Sequence, residues 1–248
     1  MHISTITLDL PLTADQIPLF RQAVLDIKGI DQELYNNKKT DQQGRETHVH
    51  RYPPIQYRVR EGYATIWAIN EGARRLEADI RKKKILTFFW RGRERSFHLI
   101  RHFNNTQEEA QYTSPRKYYR YRIINYLPFS NHEPQNTKPG TWQEYKAAAA
   151  MTEKIDILER IIVSHLVLFS YAAGWPLKQK QKLKARLADI TAISTGYYKK
   201  GHPDKEKRFL KMDLTVEINA LLPDGIALGN LTSLGYGVLY RPDTDDKD

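Results

Sequence analysis

His48-Val49-His50 is the residue pair in this sequence best suited to proton-transfer chemistry. In an extended chain, side chains two apart project to one side, so both rings would reach the same reacting group. An imidazole titrates at about pH 6.5, so one ring can take a proton while the other gives one. Two other readings of the pair stay open. Both histidines are exposed loop residues without a role, or they form a metal site with Asp41 and Glu46. The remaining histidines are weaker candidates. His98 and His102 are four apart in a strand-and-turn pattern, where helical ligand spacing does not apply. His165 lies among Ile162, Leu166 and Phe169 on an expected helix, the setting of a core or interface histidine.

The chain's 248 residues are enough for two domains. A hydrophobic content of 40% excludes wholesale disorder. With no cysteine, disulfides, thiolate nucleophiles, Cys-ligated zinc and iron–sulfur clusters are excluded, and a reducing cytoplasm is the expected compartment. The longest apolar run, Ile161–Val163 and Leu166–Phe169, is broken by Ser164 and His165, far short of a membrane span. The N-terminus lacks a basic stretch before an apolar core, so no secretory signal is expected.

The net charge of +10 is concentrated. Residues 1–50 carry −2 and the tail 242–248 carries −3, which leaves +15 for residues 51–241. A cationic body of this kind suits a polyanion, a membrane surface or plain solubility, and interleaved aromatics favour nucleic acid. Three stretches carry that signal. They are Arg81–Lys84 with Arg91, Arg93 and Arg95; the acid-free run Pro115–Tyr126, with Arg116, Lys117, Arg120, Arg122 and four tyrosines; and Lys178, Lys180, Lys182, Lys184 and Arg186 at every second position. If the last is a strand, its cations line one face and could track phosphates. A solvated strand face is the plainer alternative, and half-buried strand tyrosines are the alternative to base stacking.

Hydrophobic patterning sets out the elements. Ile3–Leu10 reads as a strand, and Thr13 with Gln16 has capping-box spacing for a helix reaching about Ile27 and ending at Gly29. Residues 31–47 read as a loop. Ile55–Arg60 and Tyr63–Ile69 form a hairpin around Glu61-Gly62, Glu71–Arg81 a helix, and Ile85–Arg91 and Arg95–Arg101 strands around Gly92. Tyr118–Tyr126 is a strand. A long helix over Trp142–Ala173, with a break near Met151, stops at Gly174-Trp175-Pro176. Leu183–Ile190, Gly196–Lys200, Arg208–Asn219 and Gly235–Arg241 supply the last strands. The order β-α-β-β-α-β, roughly repeated, predicts an α+β fold of two tandem ferredoxin-like domains, each an antiparallel sheet with helices on one face. The expected division is 1–114, 115–241 and an acidic tail, 242–248.

The segment Leu222–Arg241 holds Gly225, Gly229, Gly235 and Gly237. Glycines allow a close backbone approach and positive φ, so exposed N–H groups there could cradle an anion. A plain strand-connecting loop is the alternative. The Lys-Ser/Thr ending of a P-loop is missing, and the helix that a dinucleotide fingerprint requires is replaced by a strand.

Pro223-Asp224-Gly225-Ile226, Leu228-Gly229 and Ser233, Gly235-Tyr236-Gly237 resemble the glycine-rich loop of the CRISPR repeat-processing endoribonucleases, the Cas6 family, b-type branch. Further upstream, Arg51-Tyr52-Pro53-Pro54-Ile55-Gln56-Tyr57-Arg58 with Ile69-Asn70-Glu71-Gly72, Tyr126-Leu127-Pro128-Phe129, and Leu158-Glu159-Arg160-Ile161 with Gly174-Trp175 resemble other signatures of that branch, in the right order. The resemblance implies two ferredoxin-like domains and metal-independent cutting of repeat RNA. A ribose 2′-hydroxyl attacks the adjacent phosphate, leaving a 2′,3′-cyclic phosphate and a 5′-hydroxyl. This chemistry needs a base, an acid and donors around the phosphorane. No cofactor and no metal are implied.

At the positions where the branch usually places a His-x-His pair, this sequence has Tyr35 and Asn37. Neither is a good base at neutral pH. His50 and His48, just ahead of the Arg-Tyr-Pro motif, are therefore the expected acid–base pair, with Tyr35 as a helper. The expected RNA-binding residues are Arg51, Arg58, Arg116, Lys117, Arg120, Arg122, Lys180, Lys182, Lys184, Gly225, Gly229, Asn230, Ser233, Gly235 and Gly237. At Asn230 the family often has a lysine, so a phosphate contact is lost or moved. The implied partners are CRISPR repeat RNA and other subunits of a CRISPR effector complex, with the chain off the membrane as a monomer or homodimer. A repeat-RNA-binding subunit that does not cut, and a generic RNA-binding protein, are the two alternatives.

Overall fold

The computed structural model describes residues 1–40, 43–49, 51–105, 111–112, 116–129, 142–175, 182–199 and 206–242. The chain forms two compact units. The first comprises Met1–Glu109, Tyr171–Trp175 and Ser233–Gly235; the second comprises Ala110–Ser170, Pro176–Thr232 and Tyr236–Asp248.

In chain order the first unit contains β1 (Ile3–Pro11), α1 (Ile17–Leu25), α2 (Gln32–Asn36), β2 (Lys38–Thr40), β3 (Glu46–His48), β4 (Ile55–Arg60), β5 (Tyr63–Ile69), α3 (Asn70–Asp79), β6 (Ile85–Trp90) and β7 (Arg93–Asn105). Its five-stranded sheet runs β4-β5-β1-β7-β6. The first four strands in that order are the antiparallel core of the split β-α-β arrangement, and β6 adds an edge hairpin. Gln16 accepts from the Thr13 N–H at 3.3 Å, as the capping spacing predicts. On α1, Ile17, Phe20, Ala23 and Val24 are buried, a helical stripe facing the sheet. Phe20 meets Tyr57 edge-to-face at 5.7 Å and Phe88 at 6.2 Å. α3 buries Gly72, Ala73 and Leu76. A Cβ on Gly72 would lie 2.4 Å from the Pro54 carbonyl, so glycine is what lets α3 sit this close to the chain before β4.

Residues 31–47 contain more structure than patterning predicts. Asp31 caps α2 by accepting from Leu34 N at 3.1 Å, and β2 and β3 form a short hairpin. Elements of five and three residues are too short to leave a periodic trace.

The second unit contains β8 (Gln111–Tyr112), β9 (Tyr119–Tyr126), α4 (Trp142–Ala147), α5 (Met151–Ala173), β10 (Ala185–Lys199), β11 (Glu206–Ile218), β12 (Ala220–Leu221) and β13 (Val238–Tyr240). The helical stretch breaks ahead of Met151, as its sequence predicts, and ends before Gly174 at φ +67°. The sheet order β10-β11-β9-β13 repeats the split arrangement. One buried face collects Tyr121, Ile123 and Tyr126 from β9 and Met212, Leu214 and Val216 from β11. α5 supplies Leu158, Ile162, Leu166 and Phe169 to the core. Two expected strands, 183–190 and 196–200, are one continuous β10, bent by register shifts near Asp189 and Ala192. Where a second helix is expected between β11 and β13, the glycine-rich segment takes its place, with only a helical turn at Thr232–Leu234.

Candidate functional site

The segment around the histidine pair is built on α2. The left-handed Asn37 (φ 54°, ψ 38°) ends that helix and turns the chain into β2. β3 then returns antiparallel, bringing His48 opposite Lys38. Asn37 grips the far end of this turn. Its carbonyl accepts from Val49 N at 3.0 Å, and its Nδ2 donates to Val49 O at 3.1 Å and Arg51 O at 3.4 Å. Its Oδ1 accepts from Arg51 Nε at 3.2 Å. His50 lies outside the described residues, as do Lys178 and Lys180.

Tyr35 has a different position from that expected of a helper at the site. It is 1% exposed in the core beside Tyr57, whose hydroxyl donates to the Tyr35 carbonyl at 3.3 Å. Burial holds the Tyr35 phenol well above its ordinary range, and the nearby Asp79 carboxylate adds to this. Arg58 needs a correction as an RNA contact. It is 8% exposed, its guanidinium lies 4.5 Å over the Trp67 ring, and it donates to Gln56 Oε1. Arg51 is drawn inward by Asn37 and pairs with Glu33 at 3.6 Å.

The second unit gathers exposed cations. On the outward face of the sheet, register aligns Arg186 of β10, Glu217 of β11 and Arg120 of β9 in one row, with Arg120 bonded to Glu217 at 3.2 Å. Arg122 follows on the same face, and Arg116 and Lys117 precede β9, all exposed. Lys117 lies 5.2 Å over Tyr119, and Arg186 stacks 4.1 Å over Tyr118. Lys182 and Lys184 are exposed on either side of buried Leu183, so the described part of the stripe alternates as predicted. The strand predicted there does not hold, because β10 starts only at Ala185. Instead, buried Asn219 pins the stretch: its Oδ1 accepts from Lys184 N at 2.7 Å and its Nδ2 donates to Lys182 O at 2.9 Å. Tyr118, Arg160, Ser164, Lys184 and Arg186 help line a cleft of about 1070 Å³ along α5. In the first unit, Arg91, Arg93 and Arg95 are exposed on the β6–β7 hairpin, where Phe89 is 65% exposed.

The glycine-rich segment is held mainly by its own backbone. Gly225 N donates to Leu239 O, Leu228 N to Gly237 O and Gly237 N to Asn125 O, all at 2.8–3.1 Å. A Cβ on Gly237 would lie 1.8 Å from the Leu228 carbonyl, and one on Gly229 would lie 2.9 Å from both the Leu127 carbonyl and the Tyr126 ring. At these two positions close packing by itself requires glycine. Asn230 Nδ2 donates to Leu127 O and Pro128 O, which turns the side chain toward its own unit. Ser233 and Gly235 are counted with the first unit. Beneath this segment, the buried Tyr126 hydroxyl bonds to His165 Nδ1 at 2.8 Å, and desolvation lowers the His165 pKa to about 4. His165 is thus the packed histidine that its neighbours predicted. Sequence reasoning missed Asn37 and Asn219 as anchors, because a single Asn carries no signal of its partners.

Residues 1–108 match the family model described as the Cas6b N-terminal domain. No curated protein matches the chain. Among solved structures, one described as Cas6b has a TM-score of 0.70 at 14% identity, covering 98% of this chain and 100% of that one. The type IV Cas6 crRNA endonuclease Csf5 has a TM-score of 0.58 at 13% identity with the same coverage. A second structure, described as the CRISPR RNA processing endoribonuclease Cas6b, has 0.57 at 13%, again covering 98% and 100%. At these identities the likeness is one of fold.

Proposed function

We propose that this chain is a member of the Cas6 family, whose b-type N-terminal domain model matches residues 1–108, and that it binds CRISPR repeat RNA and cuts it without a metal. The family match carries this reading; the exposed cationic row and tyrosine stacks of the second unit support it. The RNA stem lies along Arg116, Lys117, Arg120, Arg122, Lys182 and Lys184, whose charges replace its counterions. His48 and His50 are the acid–base pair. One takes the proton of the 2′-hydroxyl as that oxygen bonds to phosphorus. The other protonates the departing 5′-oxygen as the P–O bond breaks, leaving a 2′,3′-cyclic phosphate and a 5′-hydroxyl. Tyr35, buried beside Tyr57 with its phenol held protonated, takes no part in the proton transfers.

The test is incubation of the protein with its cognate repeat RNA in EDTA, with end-group mapping of the products. One cut leaving a cyclic phosphate is expected, and it should vanish in the double variant His48→Ala/His50→Ala while RNA binding persists. Undiminished cutting by that variant would falsify the histidine assignment. A second reading, a subunit that holds repeat RNA without cutting, is favoured by one observation: the branch's usual histidine positions carry buried Tyr35 and hydrogen-bonded Asn37. An uncut, salt-sensitive complex with the wild-type protein would establish it.

A further inference from the structure

We propose that the β6–β7 hairpin is a second RNA-binding element, which takes unpaired RNA by meeting its phosphates with arginines and stacking a base on Phe89. The inference deepens the reading above by naming the RNA segment, and it rests on the chain's binding RNA.

Residues 81–98 hold seven Lys and Arg residues and one acid, Glu94. Arg81, Lys82, Lys83 and Lys84 precede β6, and Arg91, Arg93 and Arg95 follow it; all seven are exposed. Among the described residues none of the seven is in an ion pair, whereas Arg101 and Arg120 are paired with Glu61 and Glu217. A polyanion that meets these seven releases its counterions without first breaking a pair inside the protein.

Topology sets the three arginines on a narrow projection. β1 pairs with β7 only from Leu99 onward, so Arg93–Phe97 pair with β6 alone. Arg91 at φ 50° and Gly92 at φ 78° close the ribbon with two left-handed residues, the geometry of a tight hairpin turn. One face of β6 is core. Leu86, Phe88 and Trp90 are buried, with Phe88 packed on Phe97 at 4.9 Å and on Phe20 of α1 at 6.2 Å. The other face carries Ile85, Thr87 and Phe89, all exposed, Phe89 the most so. Arg93 and Arg95 pair with Trp90 and Phe88 and share their face, yet remain exposed. The two strands lie about 4.8 Å apart, less than the length of an arginine side chain. Guanidiniums from the turn and from the far face therefore reach one RNA backbone that crosses the tip beside Phe89.

The cations alone suit any polyanion, and Phe89 makes the choice. A duplex keeps its base faces stacked inside and presents only its backbone to an exposed ring. An unpaired strand presents base faces that stack on the ring and phosphates that meet the arginines.

The test measures two RNAs separately: the repeat stem alone, and an unstructured polyuridine of about 12 nucleotides. The variant Arg91→Gln/Arg93→Gln/Arg95→Gln should lose about 10-fold or more in polyuridine affinity at low salt, and its slope of log K against log salt should fall by about 2. Phe89→Ala should lose about 5-fold or more with its slope unchanged, since stacking releases no counterions. Arg91→Lys/Arg93→Lys/Arg95→Lys keeps the charges and should keep the slope. All three should bind the stem, and unfold in urea, as the wild type does, because the altered side chains are exposed. Polyuridine affinity at the wild-type level in either the glutamine variant or Phe89→Ala would overturn the inference. So would an equal loss for polyuridine and for the stem, since the hairpin would then not select unpaired RNA. A wild-type protein that binds the repeat stem no better than an unrelated stem sinks the repeat-RNA reading instead; the losses on polyuridine would then still establish the hairpin as a single-strand site.

Discussion

Replacing Gly237 with alanine should destabilise the second unit even when no RNA is present. Gly237 sits at φ +68°, and a Cβ there would lie 1.8 Å from the Leu228 carbonyl, well inside any tolerable contact. The obstacle is backbone, held by the Leu228 N–H to Gly237 O bond at 2.8 Å and the Gly237 N–H to Asn125 O bond at 3.1 Å, so it cannot swing aside as a side chain could. A left-handed φ costs a non-glycine residue about 1–2 kcal/mol, and forcing a packed site apart adds about 1–3 more, giving about 2–5 kcal/mol in all. Gly62 provides the control. It has φ +81° with nothing within 4 Å of its virtual Cβ, so Gly62→Ala should show the φ cost alone, about 1–2 kcal/mol. Urea unfolding followed by circular dichroism, with hydrogen exchange in peptides over β9 and β13, would measure both variants. Equal costs for the two would refute the reasoning that this glycine is required by its contact with Leu228. An RNA-binding defect in Gly237→Ala at unchanged stability would instead return the glycine to a phosphate-binding role.

Two further outcomes follow from the structure. His165 is half-buried against Tyr126, and desolvation lowers its pKa from 6.5 to about 4, so it is neutral. The unfolded chain therefore takes up this proton first, and the stability that His165 contributes is present in full above pH 6.5 and lost as pH falls from 6.5 toward 4. Between pH 7 and pH 5 the loss is about 2 kcal/mol, and His165→Gln should flatten that part of a stability–pH curve. The buried Arg58 and the exposed Arg122 should behave oppositely. Arg58→Ala should lower the unfolding midpoint because it removes the stack on Trp67 and the bond to Gln56, with little effect on the salt dependence of RNA binding. Arg122→Ala should leave stability within about 0.5 kcal/mol and reduce the slope of log K against log salt by about 1. A matching slope change in Arg58→Ala would overturn its assignment to the core.

Local patterning reveals the elements that are long and regularly spaced. Ile3–Leu10, the 55–69 hairpin, the strand ending at Tyr126 and the helix stopping at Gly174 are legible because apolar spacing is a local property that repeats over several residues. The segregated positive charge and the motifs that resemble the Cas6 family are also written in the chain. Tertiary structure alone decided which polar residues are available. Arg58 and Arg122 look alike in sequence, yet one is stacked under Trp67 and the other is exposed, because burial depends on strands distant in sequence. Only the folded chain shows that Gly229 and Gly237 are required by close backbone contacts. Nothing in the sequence marks Asn37 and Asn219 as anchors, since a single amide leaves no periodic trace. Their partners lie 12–14 and 35–37 positions away, and only the folded chain brings those groups within hydrogen-bond distance.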